Sequence, residues 1–301
     1  MAGNQYDCNR NARNPHDIRR MSSDFRARRS GVRYNQRLRV LFIGDIFGSP
    51  GRETVRRHLP ALLPRYDLVI ANGENAAGGF GLTGELAEEL FELGVGVITT
   101  GNHVWDRKEL AAYYRDLPEP AARVLRPANF PPGLPGAGLY QGRTRTGEAY
   151  AVLNLQGRVF LPAIDCPFRK ADELLQTLPG ECHTVVVDFH AEATSEKQAM
   201  GWYLDGRVSG VLGTHTHVPT ADERILPKGT AFQTDVGMSG PYAGIIGCRP
   251  EDVLPRFLTA RVGRLNPARD DLRLCGAELE TDANGRATAI RRIELKHPGS
   301  G

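Results

Sequence analysis

The sequence has few cysteines and no long apolar segment. Only five of its 301 residues are cysteine, and none of them form a C-x-x-C pair. This spacing argues against a disulfide framework or a zinc ribbon and favours free thiols in a reducing compartment. No apolar run approaches the roughly 18 residues that span a bilayer, and the polar, arginine-rich first residues lack the apolar core of a signal peptide. We therefore expect a cytoplasmic protein without a membrane partner.

Two common catalytic motifs are also missing. The chain has no G-x-S-x-G elbow and no Walker loop, so a serine hydrolase and a P-loop enzyme are unsupported. A G-x-G-x-x-G pattern does occur at residues 79–84. A dinucleotide fingerprint places these glycines directly after the first strand, whereas here residues 73–77 intervene after the second predicted strand. We interpret the pattern as a flexible rim of a cleft and predict no cofactor-binding residues of this kind.

Charge is distributed unevenly along the chain. Residues 1–37 contain nine Arg and three Asp, a net charge of +6, whereas the whole chain carries +3, so residues 38–301 carry −3. The body of the protein is therefore not expected to bind nucleic acid through its bulk charge. Residues 1–37 have few apolar side chains and no helical stripe, which predicts a disordered basic extension. This extension is either a basic arm for RNA or a membrane, or a segment without a function.

From residue 38 onward, short apolar runs alternate with helical stripes, which predicts an α/β fold. The strands after residue 150 are followed by no helices long enough for parallel crossovers. We therefore expect mixed β-sheets packed as a sandwich and flanked by helices, in one domain over residues 38–301. Residues 118–148 are rich in Pro and Gly and predict a long connection, and residues 273–296 predict a terminal β-hairpin.

Side chains of the metal-ligand type follow five of the predicted strands, often beside glycine. They are Asp45, Glu74, Asn75, Asn102, His103, His190, His215 and His217. In open α/β sheets the site lies at the carboxyl ends of the strands, so these residues are expected to converge on one cleft. His215 and His217 are two residues apart, which points both rings to one face of an extended segment. Each signal is weak alone, but four of the eight histidines occur at these positions.

The chemical types of these residues fit a phosphoesterase. Carboxylates, amides and imidazoles supply hard oxygen and borderline nitrogen donors, which suit Mn, Fe or Zn better than Ca and require no thiolate. One carboxylate can bridge two ions about 3.5–4 Å apart, which is the arrangement used in phosphoryl displacement. The sequence therefore predicts a two-metal site that acts on phosphate esters.

Several stretches of the chain resemble a known family. They are FIGDIFGSPGR, NGENAAGG, TTGNHVWD, DFHAEATSEK and GTHTHVPTADERILPKGTAFQTDVGMSGP. Over residues 38–259 they resemble the calcineurin-like metallophosphoesterases and, among these, the YmdB-type cyclic-nucleotide phosphodiesterases. Phe47 replaces the His of the superfamily's Asp-x-His motif, and Glu74 replaces its bridging Asp. Both departures match the YmdB-type subgroup.

The resemblance implies two ions per subunit, iron or manganese, with zinc as an alternative. It assigns one ion to Asp45, Glu74, Asn75 and His217. It assigns the other to Glu74, Asn102, His190 and His215. His103 would be the general acid that protonates the leaving ribose oxygen, while a hydroxide held by the ions attacks phosphorus.

The implied substrates are 2′,3′-cyclic nucleotides, with 3′,5′-cyclic nucleotides as an alternative. A phosphomonoesterase and a nucleotide-sensing regulatory protein linked to RNA processing remain open, and so does self-association. Phe80 and Trp105 either stack a base or belong to the core. Thr194, Ser195 and Lys197 are candidates for the substrate pocket, although Ser195 is also a candidate helix cap.

Overall fold

The computed structural model describes residues 37–116, 123–261 and 263–297. The predicted extension at residues 1–37 lies outside these ranges, except for its last residue. The strands are β1 (Leu38–Ile43), β2 (Asp45–Ile46), β3 (Leu68–Asn72), β4 (Val97–Thr99), β5 (Val124–Leu125), β6 (Leu139–Arg143), β7 (Ala149–Gln156), β8 (Thr184–His190), β9 (Gly210–Thr214), β10 (Arg224–Ile225), β11 (Ala231–Gln233), β12 (Met238–Pro241), β13 (Leu272–Thr281) and β14 (Ala287–Lys296). The helices are α1 (Gly48–Leu62), α2 (Gly84–Glu92), α3 (Lys108–Asp116), α4 (Pro167–Leu175), α5 (Thr194–Leu204) and α6 (Pro250–Thr259), and a 3₁₀ turn covers Leu63–Arg65.

The strands form two sheets. One sheet has eight strands in the order β2-β12-β13-β1-β3-β4-β5, with β14 paired to β13, and the other has six in the order β10-β11-β9-β8-β7-β6. Both sheets are mixed, because β1 is parallel to β3 and antiparallel to β13, and β7 is parallel to β8 and antiparallel to β6. The expectation that late strands lack parallel crossovers is wrong. Helices α4 and α5 connect β7, β8 and β9, which are parallel neighbours.

Alternate residues of the strands face different layers. In β1, Val40 and Phe42 pack between the two sheets against Val186, whereas Leu41 and Ile43 pack on the outer face among the residues of α1, α2 and α3. This separation follows from the two-residue period of a strand. Both faces of the strand are buried, which explains its continuous apolar sequence.

The outer face of the six-stranded sheet is covered in the same way. Leu153 and Val187 pack against Met200 and Leu204 of α5. Together with the helices on the eight-stranded sheet, this layer confirms the predicted α/β sandwich flanked by helices. Within the described ranges, no helix combines the length and the apolar character that crossing a membrane requires.

One of the two predicted helix caps is present. The Thr83 hydroxyl accepts the Leu86 N–H at 3.3 Å and caps α2 as the sequence indicates. Ser195 does not cap α5, because the N-cap position is Ala193 and no side chain accepts a hydrogen bond there.

The predicted connection at residues 118–148 contains β5 and β6, which are short and lie at sheet edges.

Candidate metal centre

The predicted site residues meet where strands of both sheets end. Asp45 follows β1, Glu74 and Asn75 follow β3, and Asn102 and His103 follow β4 in the eight-stranded sheet. His190 is the last residue of β8, and His215 and His217 follow β9 in the six-stranded sheet. Polar contacts join all eight residues into one cluster. The predicted convergence at the carboxyl ends of the strands is therefore observed.

Three polar atoms surround one ring nitrogen of His190. Its Nε2 lies 3.0 Å from Glu74 Oε1, 3.1 Å from Asn102 Oδ1 and 3.0 Å from His215 Nδ1. A ring nitrogen has only one proton or one lone pair, so it cannot hydrogen-bond with all three. The ligand atoms of Glu74, His190 and His215 lie within 4.8 Å of one another, which is the spacing that a shared cation requires.

A second group of ligand atoms surrounds the carboxylate of Asp45. Its Oδ1 lies 4.0 Å from both His190 Nδ1 and His217 Nε2, and His217 Nε2 is 3.2 Å from Asn75 Oδ1. Asp45 is fully buried, and Oδ1 has no hydrogen-bond partner, whereas Oδ2 accepts the His215 N–H at 3.2 Å. A buried carboxylate oxygen without a donor is costly, and a cation would compensate it.

The carboxylates and imidazoles shift the pKa of one another. Burial raises the pKa of Asp45 well above its usual value. Burial would also raise the pKa of Glu74, but the charge and hydrogen bond of His190 outweigh it and lower that pKa to about 2. Burial opposes the charged form of His190, yet Glu74 raises its pKa to about 9.

The pKa values of His215 and His217 are shifted in the opposite direction, below the usual value. Burial, followed by the positive charge of His190, lowers the pKa of His215 to about 3. Burial also lowers the pKa of His217. At neutral pH, Glu74 is thus an anion and these two rings are neutral, as metal ligands are, whereas His190 is protonated and would release its proton on binding a cation. The donor set fits a divalent transition-metal ion of the Mn, Fe or Zn type.

A second layer of side chains orients His190. Its Nδ1 lies 2.8 Å from the Thr214 hydroxyl, which donates to Asp188 Oδ1 at 2.7 Å. Asn72 Nδ2 donates to the other oxygen of Asp188 at 2.9 Å. Asp188 was not identified from the sequence. Because Asp188 and His190 are two residues apart on β8, they share a face, and this D-x-H spacing was an available signal.

The rings of His215 and His217 are also held from behind. His217 Nδ1 donates to the Ile246 carbonyl at 2.9 Å, so Nε2 is the nitrogen that faces Asn75. His215 Nε2 lies 3.1 Å from Glu192 Oε2, so Nδ1 faces His190. Such outer contacts fix the tautomer of a ligating histidine. Glu192, two residues after His190, was also missed.

The His-x-His segment is a strained turn. We expected His215 and His217 to lie on one face of an extended strand, and this expectation is wrong, because their φ angles are 98° and 67°. Left-handed backbone is unfavourable for side chains with a Cβ and persists only where the surroundings impose it. Here, the backbone N–H and hydroxyl of Thr216 donate to Asp235 Oδ2 at 3.1 and 2.7 Å.

The same oxygen of Asp235 accepts a hydrogen bond from the Lys197 ammonium group at 2.6 Å. Lys197 was a candidate for the substrate pocket, but it is buried and supports the turn from behind. Asp235 was not identified from the sequence.

His103 lies beside the cluster, and its ring contacts Asp106 and Phe80. The backbone N–H of His103 donates to Glu74 Oε2 at 3.4 Å, while its ring Nδ1 lies 2.8 Å from Asp106 Oδ2. The side chain is 28% exposed, and its ring forms a T-shaped pair with Phe80 at a centroid distance of 5.0 Å. Trp105 instead packs against Tyr114 and Phe130 in the core. A partly exposed imidazole beside the ligands is available for proton transfer.

A sequence model of the YmdB-like protein family matches residues 41–293. The chain belongs to this family. A Bacillus subtilis (strain 168) relative named 2′,3′-cyclic-nucleotide 2′-phosphodiesterase is 49% identical to this YmdB-like chain over 259 residues, which are 85% of this chain and 96% of the relative. The resemblance found in the sequence motifs is thereby confirmed.

Two crystal structures are similar to this YmdB-like chain. A Thermus thermophilus protein described as hypothetical has a TM-score of 0.81 and 47% identity, covering 87% of this chain and 100% of that one. A Mycoplasma pneumoniae protein described as a novel phosphatase has a TM-score of 0.80 and 34% identity, covering 87% of this chain and 94% of that one.

Proposed function

We propose that this protein is a two-metal phosphodiesterase of the cytoplasm that hydrolyses 2′,3′-cyclic nucleotides. The observation that carries the proposal is the group of Glu74, His190 and His215, whose ligand atoms lie within 4.8 Å of one another at the meeting of the two sheets. The name of the Bacillus subtilis relative supports the substrate class. The fold and family support hydrolysis of phosphate esters by this site.

We divide the ligands into the two sets that the family resemblance implies. We assign the first ion to Asp45, Glu74, Asn75 and His217. We assign the second to Glu74, Asn102, His190 and His215. In support of this division, His217 contacts Asn75 and approaches Asp45, whereas His190 contacts the other three members of its set. We propose iron or manganese, with zinc as the alternative, because the donors are oxygen and nitrogen without a thiolate.

When bound, the ions supply a water of lowered pKa and neutralise charge on the phosphoryl oxygens. The chain itself supplies the acid. Because Asp106 contacts His103 Nδ1, that ring is oriented with Nε2 free to donate a proton to the leaving ribose oxygen. No protein nucleophile is required for a cyclic diester.

The proposal is tested by metal analysis of the purified protein together with a substrate panel. The panel contains 2′,3′- and 3′,5′-cyclic nucleotides and the corresponding phosphomonoesters. We expect bound iron or manganese and the highest kcat/KM for 2′,3′-cyclic nucleotides. A preference for monoesters would instead identify a phosphomonoesterase. Nucleotide binding without turnover would indicate a regulatory protein.

A further inference from the structure

A bulky aromatic side chain is exposed on strained backbone just after β7. Phe160 is 87% exposed and has a φ of 62°. Left-handed backbone is a genuine outlier for a bulky residue, and an exposed phenyl ring forgoes the free energy of burial. Two unfavourable features at one residue persist where the surrounding structure imposes them, and they occur preferentially where a ligand binds.

The turn that carries Phe160 is fixed by a buried carboxylate. Glu196 of α5 is only 9% exposed, and its carboxylate accepts the backbone N–H of Arg158 at 3.0 Å and of Val159 at 3.1 Å. Gly157 allows this approach, because a Cβ there would lie 2.5 Å from Glu196 Oε2. These charge-assisted hydrogen bonds hold the turn in one conformation, so the exposed position of Phe160 is built into the fold.

The turn begins beside the candidate metal centre. Gln156, the last residue of β7, pairs with His190 in the sheet, and the Gly157 N–H donates to the His190 carbonyl at 2.9 Å. Phe160 is three residues beyond Gly157, so its Cα lies within about 11 Å of that contact. Phe160 therefore follows the same end of the six-stranded sheet as His190, because β7 and β8 are parallel and end side by side.

We propose that Phe160 stacks on the nucleobase of the cyclic nucleotide whose phosphate lies at the metal centre. This inference rests on the proposed function and makes it more specific. A phenyl ring recognises the π face that all bases share, so stacking tolerates different bases. Phe160 then selects nucleosides over other cyclic phosphates without selecting one base.

The test is steady-state kinetics of the metal-loaded full chain with matched substrates. The substrates are adenosine 2′,3′-cyclic phosphate, cytidine 2′,3′-cyclic phosphate and glycerol 1,2-cyclic phosphate, which has no base. For Phe160→Ala we expect kcat/KM to fall by about 5- to 100-fold on both nucleotides, mainly through KM, with no change on the glycerol substrate. Phe160→Trp should retain the wild-type kcat/KM on all three substrates. Val159→Ala changes a neighbouring side chain of the same exposed turn and serves as the control.

An equal effect of Phe160→Ala on the nucleotides and on the base-free substrate would overturn the inference. A change in oligomeric state with unchanged KM would also overturn it, because the ring would then cover a second copy of the chain. If the wild-type protein hydrolyses no cyclic nucleotide, the proposed function fails separately. Equilibrium binding of adenosine monophosphate to the wild type and Phe160→Ala then still decides whether the ring contacts a base.

Discussion

Lys197 Nζ lies 2.6 Å from Asp235 Oδ2, and both side chains are only 1% exposed. The same carboxylate oxygen accepts two hydrogen bonds from Thr216, between the two histidines of the strained turn, and Asp235 Oδ1 accepts the Gly237 N–H at 2.8 Å. This ion pair thus connects α5 to the turn that presents His215 and His217 to the cluster.

Replacing Lys197 by Met should strongly destabilise the protein. The substitution keeps the apolar stem and leaves Asp235 as an uncompensated buried charge, which typically costs about 3–5 kcal/mol. The measurement is urea-induced unfolding at neutral pH. Lys170→Met is the matched control, because Lys170 pairs with the exposed Glu173 at 2.7 Å and such pairs contribute at most about 1 kcal/mol. Equal losses of unfolding free energy in the two variants would show that the buried pair contributes no more to stability than the exposed pair.

Glu74→Ala should reduce the metal content of both proposed sites together. Glu74 is the carboxylate that both ligand sets share, and it contacts His190 and the backbone of His103. Elemental analysis after equilibration with excess metal measures the occupancy. The exposed glutamate of α1, Glu53, provides the control as Glu53→Ala. Full occupancy by two ions in Glu74→Ala would contradict the bridging role.

His103→Gln should lower turnover of 2′,3′-cyclic nucleotides by about 10²–10⁴-fold, the usual contribution of general acid catalysis. The metal content should not change, because the ring contacts Asp106 and not the ligand atoms. With bis(4-nitrophenyl) phosphate the loss should be much smaller, since nitrophenolate departs without a proton. If metal content falls and both substrates lose the same activity, the ring only orders the turn after β4.

Glu278→Gln should weaken the dependence of stability on acid pH. Burial would raise the pKa of Glu278, but the hydrogen bonds of Tyr66 at 2.7 Å and Arg291 at 2.6 Å hold it below its usual value. Below about pH 4.5 the unfolded chain then binds more protons than the folded one, so this stabilisation is present above that pH and decreases as the pH falls through the folded-state pKa.

Thermal unfolding near pH 7 and near pH 3.5 measures this effect. Glu278→Gln should be less stable than the wild type near pH 7 and should lose less stability on acidification. Glu53→Gln, which alters an exposed side chain of α1, should show the wild-type dependence. If the stability of Glu278→Gln depended on pH as steeply as that of the wild type, the lowered pKa of Glu278 would not be a source of the acid sensitivity.

The sequence predicted the cluster because each candidate ligand follows a strand locally. Residues 74, 102 and 190 could be located from the apolar runs that precede them, and the fold class follows from the alternation of these runs with helical stripes. The Lys197–Asp235 pair could not be located in this way, because its members are 38 residues apart and meet only through the packing of α5 on the sheet. Helix α6 was missed because Pro255 lies inside it, where a proline usually breaks a helix.

The ligands come from both sheets of the sandwich. Asp45, Glu74 and Asn102 follow strands of the eight-stranded sheet, whereas His190 ends one strand of the six-stranded sheet and His215 follows another. Ions held in the proposed way bind the native chain and not the unfolded one, so a 100-fold excess over Kd adds about 2.7 kcal/mol to the free energy of unfolding. A chelator would then shorten the lifetime of the protein as well as inactivate it, and the metal supply of the cell would set how much folded enzyme survives.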